Sequence, residues 1–139
     1  MSADQQEIAI KFRHNAVEVE TMYAIKVAED KYRVQGQLLG DVRITYGTIV
    51  EARPDEKGEL WFYRIDRLSD FITETYLLPE QAIGKRDELR KIGEKVTAIG
   101  GAWEIVMGGM VFMYLPKDSN FDVEAEIRMF FNSLSDDNG

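Results

Sequence analysis

The chain has 139 residues, 45% hydrophobic and 30% charged, which is enough to bury a core and too apolar for a disordered chain. It has no cysteine, which excludes disulfides, thiolate metal sites and cysteine nucleophiles. Acids outnumber bases 25 to 17, and the formal net charge of −8 disfavours phosphate backbones and favours basic partners.

Met1 to Gln6 reads as a loose tail without the basic start or apolar centre of a signal peptide. The run EIAIKFR alternates, with Ile8, Ile10 and Phe12 on one side, and predicts a strand. In VEVETMYAIKV the alternate residues Val17, Val19, Thr21, Tyr23, Ile25 and Val27 predict a core face, and Glu18, Glu20 and Lys26 a wet one. AEDK turns the chain, and YRVQG returns with Tyr32 and Val34 inward. Gln35 to Asp41 reads as a loop, after which VRITYG resumes alternation at Val42, Ile44 and Tyr46.

TIVEARPDEKGELWFYRI predicts a hairpin whose PDEKG turn closes at positive φ on Gly58. Alternation then puts Trp61, Tyr63 and Ile65 on one face and Leu60 and Phe62 on the other. An exposed ring at that rim is a candidate contact, because Trp and Tyr offer large area with a polar handle. FITETYLL predicts another strand. From Lys85 the period changes: Leu89, Ile92, Val96 and Ile99 form a helical stripe, stopped at Gly100-Gly101.

WEIVMGGMVFMYLP predicts a hairpin turning at Gly108-Gly109. That turn pairs Met107 with Met110, Ile105 with Phe112 and Trp103 with Tyr114, all on one face. A last helix spans DSNFDVEAEIRMFFNSL, N-capped at Ser119 or Asn120, with Val123, Ile127, Phe130, Phe131 and Leu134 buried. The expected fold is α+β: a curved antiparallel sheet or small open barrel, then a β-α-β-β-α ferredoxin-like unit. Residues 7–134 are expected to form one domain between flexible tails at 1–6 and 135–139.

Chemistry-bearing motifs are few. The lone His14, beside Asn15, reads as a solvent-exposed turn residue without a positioned partner. GGAWEIVMGG fits no phosphate-loop fingerprint. No run of 18 apolar residues offers a membrane span. A non-catalytic, cytoplasmic binding protein follows, with no cofactor, metal, nucleic acid or membrane. The acidic C-terminal segment holds Asp118, Asp122, Glu124, Glu126, Asp136 and Asp137 against one base, Arg128. With Ile127 inward, Asp122, Glu126 and Met129 turn outward, and a methionine ringed by carboxylates suits a basic, partly apolar partner. The expected partner-binding residues are therefore Asp122, Glu126, Met129, Asp136, Trp61 and Tyr63.

The stretches VETMYAIKVAEDKYRV and YGTIVEARPDEKGELWFYRI, a helix closing in GG-x-W-E, and a strand ending in Leu-Pro together resemble the bacterial domain-of-unknown-function family 4265. The resemblance covers roughly Val17 to Phe131. QLLGDVRI stands where the family has a Pro-Phe pair, and Ser69-Asp70 where it has Ser-Gly. The family transfers no catalytic residue. Small acidic domains of this kind imply an immunity protein that neutralises a basic toxin domain. The alternative is a small-ligand or regulatory module with a pocket beside the curved sheet.

Overall fold

A computed structural model describes residues 6–136, with side chains through Leu134. The chain is α+β and divides after Asp70 into two compact units, taken separately below.

The first unit is a barrel of five strands: β1 (Glu7–Arg13), β2 (Val19–Ala28), β3 (Lys31–Val34), β4 (Ile49–Pro54) and β5 (Leu60–Arg67). Successive strands pair antiparallel, and a short parallel contact between β1 and β5 closes the ring. The expected curved sheet is thus a small closed barrel. Its interior holds Ile10, Phe12, Ala24, Tyr32, Val34, Val50 and Ala52, with Leu60, Phe62 and Ile65 packed against them.

The β2 reading is inverted. Met22 and Ala24 turn inward, whereas Val17 (86% exposed), Val19 and Tyr23 face solvent. Pairing decides this: cross-strand partners share a face, and β2 sets Met22 opposite Ile10 and Ala24 opposite Ile8. The more apolar row of β2 is consequently on the outside. The second correction concerns residues 41–48, which form an irregular loop and no strand. Asp41 accepts hydrogen bonds from the backbone and guanidinium of Arg43, and Ile44 donates back to the Asp41 carbonyl. Such local bonds compete with a ladder. Leu38 and Ile44 are carried into the barrel core, and Val42 points to water.

The second unit has the expected β-α-β-β-α order: β6 (Phe71–Leu77), a 3-10 turn at Glu80–Lys85, α1 (Arg86–Ala98), β7 (Ala102–Val106), β8 (Met110–Pro116) and α2 (Val123–Asp136). Its antiparallel sheet runs β6-β8-β7. Helix α1 ends as expected, with Gly100 at φ 91 and the Gly101 amide bonded to the Val96 carbonyl. The buried stripe is Leu89, Ile92, Gly93 and Val96, while Ile99, expected to continue it, is the exposed C-cap. Helix α2 buries Val123, Ile127, Phe130 and Leu134 against Val111, Met113 and Leu115 of β8. It starts later than expected. Asp122, not Ser119 or Asn120, is its cap, accepting from the Ala125 amide at 3.0 Å.

The β7–β8 hairpin is shifted from the expected register. Ile105 pairs with Val111, Glu104 with Phe112 and Trp103 with Met113. Met107 (φ 54) and Gly108 (φ 78) take the positive-φ positions expected of Gly108-Gly109. Moving the turn one residue exchanges the faces. Trp103 and Ile105 now join Val111 and Met113 beneath the helices, and Glu104, Phe112 and Tyr114 lie opposite. Met107 sits at the turn, 78% exposed.

Candidate partner-binding surface

The outer face of the barrel carries exposed and half-buried rings close to cations. Strand β5 contributes Trp61 and Tyr63. It is irregular there: Arg64 pairs with Glu51 and Phe62 with Ala52, which leaves Tyr63 as an extra residue. This bulge changes the side-chain phase. Leu60, Phe62 and Ile65 all reach the core, correcting the expectation that Ile65 would share a face with Trp61 and Tyr63. Phe62 stacks on Phe12, and Tyr63 is left 51% exposed.

Across the closure, Lys11 of β1 pairs with Trp61. The Lys11 ammonium and the Arg13 guanidinium lie 5.6 and 5.0 Å from the indole centroid. Next along β1, Ala9 pairs with Tyr23 and Arg13 with Val19 on β2, both exposed. The outer face thus carries Tyr63 and Trp61 on β5 and Tyr23 and Val19 on β2, with Lys11 and Arg13 of β1 between them. Aromatic rings grouped with arginines on a barrel exterior are the composition that interface centres favour.

Charged groups hold the rings in place. The Asp55 carboxylate accepts from the Trp61 indole N–H at 2.9 Å, and also from the Lys57 and Glu59 amides at 2.9 Å. The indole bond, with those two amides, holds the Asp55 carboxyl below the usual range. Arg53 lies 3.5 Å from the Tyr63 centroid, with Arg64 farther off at 5.8 Å. Both guanidiniums donate to Glu51, at 2.9 Å each. The bond from Arg53, together with the charge of Arg64, outweighs burial and lowers the Glu51 pKa. Lys11 pairs with Glu59. Four cations, Lys11, Arg13, Arg53 and Arg64, thus meet three carboxylates, Glu51, Asp55 and Glu59. On a chain of charge −8 this is a nearly neutral, ring-bearing island.

A depressed folded-state pKa makes Glu51 stabilising above the unfolded carboxylate value, about 4.3, and that contribution is lost as pH falls through the folded value. Glu51→Gln is therefore expected to unfold at lower urea than the parent at pH 7. The gap should narrow as pH drops below the ordinary carboxylate range. A gap that stays constant from pH 7 to pH 3 would exclude the ionised pair as its source.

The C-terminal residues are arranged differently from expectation. Glu126 is ion-paired with Lys95, and Glu124 with Arg128. Asp122 is engaged as the α2 cap. Met129 is 68% exposed as expected, but it lies on a groove between α1 and α2 of 360 Å³ whose walls include Lys91 and Lys95 as well as Glu88 and Glu126. It is bordered by charges of both signs and not ringed by carboxylates. The Asp136 side chain lies outside the described residues. Asp122, Glu126 and Met129 share α2 and its approach, while Trp61 and Tyr63 share β5.

His14 is the other departure. It is half-buried, and its Nε2 lies 2.9 Å from Glu20 Oε1. Glu20 also accepts from the amides of Leu39 and Gly40, at 2.8 and 2.9 Å. Burial opposes ionisation of Glu20, but these donors and His14 outweigh it and lower the pKa. A Cβ on Gly40 would fall 2.3 Å from the imidazole, so the ring is packed against the loop and not turned out to water. The pair fastens loop 36–40 to β2.

Sequence reading missed Val19, Tyr23, Lys11 and Arg13. The signal was there in β1: fixing Ile8, Ile10 and Phe12 as core fixes their partners on β2, and so turns Tyr23 outward. Among the described residues no group of three or more His, Asp or Glu side chains is placed to hold a metal ion. No described helix is long and apolar enough to cross a membrane.

No protein-family model and no curated protein matches the sequence. Among solved structures, the crystal structure of a hypothetical protein from Neisseria gonorrhoeae is similar, with a TM-score of 0.54 and 13% identity over 96% of this chain and 89% of that one. At that identity the likeness is one of fold.

Proposed function

We propose that this chain is a non-catalytic, cytoplasmic protein-binding domain that takes its partner on the outer face of the barrel. In its most concrete form it is an immunity protein that neutralises a basic toxin domain. The observation that supports this is the outer set of exposed Tyr63, Tyr23 and Val19 with half-buried Trp61, set among paired charges. Interface centres favour aromatic residues and arginine and avoid unpaired charge. The net acidity of the chain supplies attraction: its formal charge is −8, and from Phe71 onward there are twelve acids and seven bases. Net charge of this sign raises the association rate of a basic partner and weakens with salt.

The test is binding to a toxin domain encoded beside the gene, measured by titration calorimetry and stopped flow. Trp61→Ala and Tyr63→Ala, checked for an unchanged circular dichroism spectrum, are each expected to weaken binding about tenfold or more. Reversing Asp122 and Glu126 to Lys is expected to slow association chiefly at low salt. Full affinity in both ring variants would remove the barrel face from the interface. Absence of any toxin that binds would end the immunity reading.

A further inference from the structure

The barrel has no free strand ends at its sides, but the three-stranded sheet has two edges, β6 and β7. Phe71 and Thr73 of β6 carry further interactions. On β7, Ala102–Val106, the ladder bonds run to β8, and the one further backbone bond is that of the Val106 carbonyl with Gly109 in the turn. Alternate residues of an edge strand turn both the N–H and the C=O away from the paired neighbour. Those groups on β7 have no partner among the described residues. The strand reads AWEIV, in which Trp, Ile and Val have high strand propensity, and it lacks the Lys, Pro or bulge that blunts edges elsewhere.

The charge on this edge restricts what can pair with it. Glu104 is the one ionisable residue of β7. It accepts a hydrogen bond from the Tyr114 hydroxyl and has no cation partner among the described residues. A strand laid along β7 would place a side chain directly opposite it. A second copy of this chain, paired antiparallel over all five residues, would be centred on Glu104 and would set Glu104 against its own copy. Like charges directly opposite are destabilising. Any other self-register sacrifices pairing length.

We propose that the open edge of β7 receives an extended strand of a partner protein, with a lysine or arginine opposite Glu104. This is strand addition, in which main-chain bonds give affinity and alternate side chains give selectivity. It does not depend on the barrel face, and it is tested separately.

The probe is a seven-residue peptide of alternating Val and Lys, compared with its Val/Glu counterpart and with a Val/Lys peptide N-methylated at every amide, so that neither of its edges can donate. Binding to the full chain is followed by amide protection of β7 in ¹H–¹⁵N spectra. The basic peptide is expected to protect β7 and to bind more tightly than the acidic one by about threefold or more. N-methylation is expected to abolish binding, and Trp61→Ala to leave it unchanged. Glu104→Gln, which keeps an acceptor for Tyr114, is expected to erase the preference for Lys over Glu while leaving binding itself. Equal binding of the N-methylated peptide, or no protection of β7 by the basic one, would overturn strand addition. A concentration-dependent dimer protected at β7 would replace the basic partner with a second copy.

Discussion

Gly93→Ala is expected to destabilise the second unit by about 1–3 kcal/mol, although alanine is the better helix former by about 1 kcal/mol. Gly93 is buried in α1, and an added Cβ would stand 2.1 Å from Cε2 and 2.2 Å from Nε1 of Trp103. No real contact is that short, so the indole must move. Trp103 packs against the cluster formed by Leu89, Ile92, Val96, Val111 and Met113, and a moved ring disturbs several of its contacts. The overpacking cost therefore exceeds the gain in propensity. Urea denaturation gives the number. In the double variant Gly93→Ala with Trp103→Leu, the smaller side chain makes room, so the two changes should cost less together than their separate effects sum to. A Gly93→Ala protein as stable as its parent would mean that the ring has somewhere to go, and that Trp103 is not held tightly against α1.

Phe12→Ala is expected to cost more, about 3–5 kcal/mol, the usual range for emptying a buried phenylalanine site. Phe12 is 2% exposed, and its ring stacks on Phe62 at 5.1 Å with 25° between planes. A closed barrel has a rigid wall, so little collapse can offset the void. Phe12→Leu fills most of the volume and should cost well under half as much. The readout is convenient because each unit holds one tryptophan, Trp61 or Trp103. In a Trp103→Phe background the fluorescence of Trp61 reports the barrel alone. If Phe12→Ala leaves that transition within 1 kcal/mol of the parent, on the order of a surface change, Phe12 is not the barrel's keystone.

Where the sequence spoke through local rules, it was readable. The Gly58 turn, the Gly100 helix stop, the α2 stripe and the β-α-β-β-α order all follow from spacing and from the conformational freedom of glycine. What it hid was set by the pairing between neighbouring strands, which spacing within one strand does not show. The inward face of β2 depends on its pairing with β1, and a row of Val, Tyr and Ile on its own points the wrong way. The phase of β5 depends on a bulge at Tyr63 that no turn residue announces. The β7–β8 register turned on Met107 accepting positive φ, a conformation that methionine rarely takes. These three shifts bear directly on the candidate surfaces. They move Tyr23 outward, detach Ile65 from Trp61 and Tyr63, and set Glu104 with Phe112 and Tyr114 instead of Val111 and Met113.

The parallel seam between β1 and β5 has a consequence for how the protein is made. It rests on the pairs Ile10 with Leu60 and Lys11 with Trp61, some fifty residues apart in the chain. As a nascent polypeptide leaves the ribosome, β1 waits with one flank bare until β5 emerges. Distant closures of this kind form late, and bare flanks invite pairing with neighbouring chains. The shortness of the seam also makes it the first place for the finished ring to part, so the backbone amides that bond across it between β1 and β5 should exchange with deuterium before those of the longer β1–β2 ladder.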